Sequence, residues 1–109
     1  MRFDEIKKEI SGVAFDTLRA DNEDYFEAVI ENNKIGELTG SLEKVFGPPA
    51  WPSEKPIMPD TQGIIDTFGG IREGQTLYLR NDGKYSFFAM LWPWQDMQHT
   101  TVKISGKIS

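Results

Sequence analysis

Cysteine is absent from this chain of 109 residues. That excludes a disulfide scaffold, a thiolate metal site, a cysteine nucleophile and a lipid carried on cysteine. Histidine is scarce, with His99 as the only one. A zinc site with a single histidine would have to rest on carboxylates, an uncommon donor set. No metal and no cofactor is therefore expected. Long apolar runs are also missing; none approaches the ~18 residues of a membrane helix. The opening MRFDEIKKEI mixes charged and apolar positions, unlike the basic-then-apolar run of a secretory signal. A processed mature form would read the same way. The expectation is a soluble, cytoplasmic protein with no membrane partner.

Phosphate and calcium loops are absent as well. Gly69-Gly70 with Gly74 lacks the Gly-Lys-Ser/Thr ending, and a strand follows where a helix N-terminus is needed. Asn81-Asp82-Gly83 is too short for a calcium loop.

The composition is that of a folded protein, 39% hydrophobic and 27% charged. A chain of this length reads as one domain, 1–109, able to bury roughly two thirds of its unfolded surface. The net charge of −5 is uneven: residues 1–47 hold six Lys+Arg against eleven Asp+Glu, and residues 48–109 hold six of each. Much of the excess falls between Asp16 and Glu31. An acidic face repels phosphate backbones, so nucleic acid is not an expected partner. It can steer a basic protein or peptide, or act only as a solvated surface.

Phe3, Ile6 and Ile10 mark a short amphipathic helix that Gly12 can stop. Residues 13–31 admit two readings. Val13, Phe15 and Thr17 alternate before the turn-like RADNED, which fits a hairpin with an acidic tip. Phe26, Val29 and Ile30 fit a helix from about Glu23 equally well. β-branched and aromatic enrichment favours strands. Lys34–Phe46 is the clearest helix, with a stripe of Ile35, Leu38, Leu42, Val45 and Phe46. Asn32 or Asn33 can cap it and Gly47-Pro48 can end it. Gly36 and Gly40 suggest close approach of another backbone.

Five of the six prolines fall between Pro48 and Pro59. This is a stiff, extended connection, read as a linker anchored on Trp51 or as a lid. A short helix, Gln62–Phe68, follows, with Ile64, Ile65 and Phe68 inward and Gly69-Gly70 as its stop.

TLYLR, NDGK, YSFFAMLWPW, QDMQH and TTVKIS then read as a three-stranded antiparallel meander whose central strand is apolar on both faces. A three-residue turn with Gly83 as a bulge would pair Leu79 with Tyr85. Leu77, Leu79, Tyr85, Phe87, Ala89 and Leu91 would then share one apolar face. Tyr78, Arg80, Ser86, Phe88, Met90 and Trp92 would form the other. A two-residue Asp82-Gly83 turn would pair Leu79 with Ser86 and join Leu77 and Leu79 to Phe88 and Met90. The apolar pattern favours the three-residue turn. Pro93 should end the central strand or mark a bulge.

The order helix, Gly-Pro-Pro, three-stranded meander is similar to the helix–helix–three-strand plan of small BamE-like domains over Val45–Pro49 and the C-terminal strands. The lipoprotein cysteine of those domains is absent, and nothing functional is carried over.

Chemistry is sparse. Asp96 precedes His99 by three residues, but no nucleophile can be assigned, so His99 reads as a turn histidine before a strand. Glu5/Glu9 and Glu27/Glu31 are carboxylate pairs at helical spacing in charged surroundings. Asp66, Arg72 and Glu73 surround Gly69-Gly70 and offer a small polar site.

These readings combine into an α+β domain. An antiparallel sheet, the C-terminal meander alone or the meander extended by an N-terminal hairpin, packs on one main helix with short flanking helices and a Pro-rich connection at 48–59. The leading functional expectation is a non-enzymatic module that binds a protein or a second copy of itself. Its surface would be an aromatic sheet face of Tyr78, Phe88, Met90 and Trp92, with Trp94 and Trp51. One alternative is an acidic inhibitor or immunity-type protein that covers a basic partner through Asp16–Glu31. Another is a small enzyme or ligand-binding protein with its polar site near Asp66, Arg72 and Glu73.

Overall fold

The computed structural model describes residues 3–51, 63, 65–66, 69–71, 74–82 and 85–108. Helix α1 (Phe3–Glu9) buries Phe3 and Ile6. The segment 13–31 is a hairpin: β1 (Thr17–Asp21) and β2 (Tyr25–Glu31) pair antiparallel, with a register break between Leu18 and Ala20. Glu27 and Glu31 therefore lie along a strand and form no helical carboxylate pair. Strand β2 wins because Phe26, Ala28 and Ile30 enter one core face at period 2.

Helix α2 (Ile35–Phe46) follows a 3₁₀ turn over Asn32–Lys34. Leu38, Leu42, Val45 and Phe46 are buried at helical spacing. Burying each such side chain contributes about 1.5–3 kcal/mol. The expected asparagine cap is not made: Lys34 holds the cap position without a side-chain bond. The Asn32 Oδ1 instead accepts a hydrogen bond from the Thr100 hydroxyl at 2.7 Å, tying the turn to the last strand. Gly47 ends α2 as expected, at φ 77° with its N–H donating to the Glu43 carbonyl at 2.9 Å. A Cβ at Gly36 or Gly40 would meet open space, so neither glycine serves close backbone approach.

Strands β3 (Thr76–Asp82), β4 (Tyr85–Pro93) and β5 (His99–Ile108) complete a five-stranded antiparallel sheet in the order β1-β2-β5-β4-β3. The fold is thus α+β with the hairpin added to the meander. It departs from a helix–helix–meander plan, since the hairpin lies between the two helices in sequence and pairs with β5. Pro93 ends β4.

The β3–β4 register corrects the favoured three-residue reading and the pairing in both, while the faces are those of the two-residue alternative. Leu79 pairs with Phe88, and Asp82 with Tyr85. Leu77 and Leu79 share a face with Phe88 and Met90, while Tyr78 and Arg80 share a face with Phe87 and Ala89. The residue pattern could not arbitrate because β4 is buried on both sides. Arg80 supplies a reason for the observed choice: its guanidinium donates to the Val45 carbonyl at 2.9 Å, at the carbonyl-rich end of α2. Tyr78 packs beside Phe46, ring centroids 6.1 Å apart.

Two cores result. The larger lies between the sheet and the helices, with Ile6, Ile10, Leu38, Leu42, Phe26, Ile30, Phe87 and Ile104 among its members. The smaller lies on the opposite face, where Ile65, Leu77, Phe88 and Met90 meet the partly buried Trp51, Ile71, Leu79 and Trp92. Trp51 anchors this cover as expected, bridging to Leu77 on the β3 edge with N–H···O distances of 3.2 and 2.9 Å. Residues 63, 65 and 66 are helical, and Gly69 and Gly70 close the turn onto the carbonyls of Asp66 and Ile65. Pro52–Pro59, Ile64, Phe68 and the Gly83 turn lie outside the described residues.

Candidate functional site

The six residues expected to form one aromatic surface do not share one. Tyr78 faces the helices and is 2% exposed. Phe88 and Met90 are buried on the other face within the smaller core. Trp51 and Trp92 are half-buried around that core. Gly69 lies so close to the Trp92 ring that an added Cβ would stand 2.5 Å from it, and the Lys103 ammonium lies 3.6 Å from the centroid of that ring. Both indole N–H groups are buried without an acceptor among the described residues. Trp94 alone is exposed, beyond the end of β4, and its indole N–H donates to the Thr101 hydroxyl at 2.8 Å.

Asp66 lies at the Gly69-Gly70 turn, whereas Arg72 and Glu73 lie outside the described residues. His99 opens β5. Its Nδ1 is 2.6 Å from Asp96 Oδ2, and its Nε2 faces Asp16 Oδ2 at 4.0 Å. The neighbouring hydroxyls are otherwise engaged, Thr100 donating to Asn32 and Thr101 accepting from Trp94. The imidazole thus sits between two carboxylates, an arrangement that favours the imidazolium. A groove of about 460 Å³ runs beside it, between Glu31 to Asn33 and Met97 to His99.

At the other end of the sheet lies a larger cavity of about 730 Å³. Its carboxylates are Asp4 from α1 and Glu23 and Asp24 from the β1–β2 turn. Its apolar part is Phe3, Tyr85 and Phe87, with Gly106 beneath. The Tyr85 and Phe87 rings stack at 5.8 Å and 15°, and Tyr85 remains 47% exposed. The turn is held firmly. Asn22 N–H donates to the Tyr25 carbonyl at 2.8 Å, and the Asp24 carbonyl accepts the Ser105 hydroxyl at 2.7 Å. Lys7 pairs with Asp21 and donates to the Asn22 carbonyl. The acidic tip expected at RADNED is therefore real. Its meeting with Tyr85 and Phe3 had no sequence signal, because residues distant in the chain build it.

Tyr25, the next residue along β2, donates its hydroxyl to Glu27 at 2.5 Å. Burial, then that bond and the Glu27 charge, push the phenol well above its ordinary value.

Among the described residues no group of histidine and carboxylates fits a metal ion, and no helix is long and apolar enough to cross a membrane. Comparison with protein-family models, curated proteins and solved structures gives no match.

Proposed function

We propose that the protein is a non-enzymatic binding module that takes a basic segment of a partner protein into the cavity between α1, the β1–β2 turn and Tyr85. The observation that carries this reading is the pairing of three carboxylates with a half-exposed aromatic stack around one cavity. Carboxylates select positive charge, and an aromatic face adds cation–π attraction for a guanidinium or ammonium group. The uneven charge of the chain supports it, because the acidic half supplies Asp4, Glu23 and Asp24. The burial of Tyr78, Phe88 and Met90 moves the support away from a contact surface on the aromatic sheet face.

Fluorescence anisotropy of a labelled octa-arginine peptide tests it. Binding is expected at ~20 mM salt and should weaken steeply toward ~200 mM, as exposed charges are screened. The Glu23→Gln/Asp24→Asn double variant should bind several-fold more weakly. An affinity indifferent to both salt and the double variant would sink the proposal.

A further inference from the structure

The β1 strand is the weakest-held part of the sheet. It is an edge strand, mostly exposed, paired only with β2 and broken in register between Leu18 and Ala20. Its far end is tied down by the Lys7–Asp21 ion pair. Its near end is tied by the Asp16 N–H, which donates to the Val29 carbonyl at 2.8 Å, and by the Asp16 carboxylate facing His99.

The loop that presents His99 is tightly organised. Asp96 Oδ1 accepts the N–H groups of Gln98 and His99 at 2.9 and 3.1 Å, while its Oδ2 engages the imidazole. Trp94 N–H donates to the His99 carbonyl at 2.8 Å. Met97 is held at φ 60°, a left-handed conformation that a methionine adopts only under such constraint. The same loop touches β1 a second time, since the Arg19 guanidinium lies 5.6 Å from the Trp94 ring.

We propose that His99 is a pH-sensitive clasp which, when protonated, fastens the start of edge strand β1 to the β4–β5 loop. The charged groups around it come from each neighbouring element: Asp96 from the loop, Asp16 from the approach to β1 and Glu31 from the end of β2. Arg19, 5.6 Å from the Trp94 ring and 3.5 Å from Glu27, is a cation that opposes the charge. The hydrogen bond to Asp96 raises the imidazole above its usual 6.5, partial burial opposes this, and the three carboxylates add to the rise. The Gln98 N–H, followed by the His99 bond, holds Asp96 below its usual value. A raised folded value fixes the sign. The clasp contributes fully below the unfolded histidine value and is lost as pH rises through the folded one. The inference stands apart from the basic-segment reading, whose cavity lies at the opposite end of the sheet.

Amide hydrogen exchange tests it, with protection factors corrected for intrinsic rates and Val102 and Ile104 of β5 as the internal reference. Between about pH 8.5 and about pH 5.5, the protected β1 amides should gain roughly threefold over that reference. His99→Gln should abolish the gain. Asp16→Asn should abolish it too, while the His99 titration followed by NMR stays above the ordinary value through Asp96. A β1 gain that persists in either variant, or a wild-type β1 that moves only in step with β5, overturns the proposal.

Discussion

Single side chains decide how closely the strands of this sheet can pack, and Gly106 shows it most plainly. The Phe87 ring of β4 lies over the β5 backbone at Gly106, the residue it pairs with. A Cβ there would stand 2.7 and 2.8 Å from two atoms of the ring. Phe87 is buried in the larger core and stacked on Tyr85, so it has little room to yield. Gly106→Ala is therefore expected to destabilise the protein by about 1–3 kcal/mol, the usual cost of overpacking. Urea denaturation checks this; an unchanged midpoint would mean that the ring moves aside freely. Because Gly106 also floors the acidic cavity, the same variant should disturb peptide binding there, whereas a change at the exposed Gly36 should not.

Among elements, α2 was the most legible in the sequence and the β3–β4 register the least. The stripe from Ile35 to Phe46 repeats at helical spacing with a glycine stop, and local physics sets both features. The hairpin over 17–31 was legible from its alternation, although a helix fitted part of it, since Phe26, Val29 and Ile30 suit either period. Register was not legible. When a strand is apolar on both sides, sliding its partner by one residue does not strand an apolar side chain in water, and the usual penalty vanishes. What selects the register is tertiary: Arg80 must reach the Val45 carbonyl, thirty-five positions earlier in the chain. The cavity was half legible: the acidic turn and the shared face of Tyr85 and Phe87 were visible, but their meeting was not, because it joins residues distant in the chain. Arg80→Met keeps much of the aliphatic packing but removes the donor. It is expected to cost about 1.5–3 kcal/mol, the range for hydrogen bonds from charged groups, with fraying concentrated in the last turn of α2. Thermal unfolding gives the first quantity, and exchange at Val45 and Phe46 the second.

At the scale of the whole molecule, the sheet is covered on both faces at β4, and this decides how the aromatic residues of that strand must behave. Phe87, Ala89 and Leu91 belong to the helix-side core; Phe88 and Met90 belong to the smaller core with Ile65 and Leu77. Phe88 is 1% exposed, as fully enclosed as Phe87 at 2%. Were the second face a free contact surface, polar substitution of Phe88 and Trp92 would leave the fold intact and remove only an association. With that face buried, the outcome reverses. Truncating a core aromatic residue typically costs about 3–5 kcal/mol, and a protein of this kind has about 5–15 kcal/mol in total. A Phe88→Ser/Trp92→Ser double variant is thus expected to lose cooperative unfolding altogether. Trp94→Ser, at an exposed position beyond the strand end whose indole N–H donates to the Thr101 hydroxyl, should remain folded. Near-ultraviolet circular dichroism with thermal melts separates the cases: a folded double variant would mean that the cover over Ile65, Leu77 and Phe88 lifts away at little cost, and the second face would then be open to a partner after all.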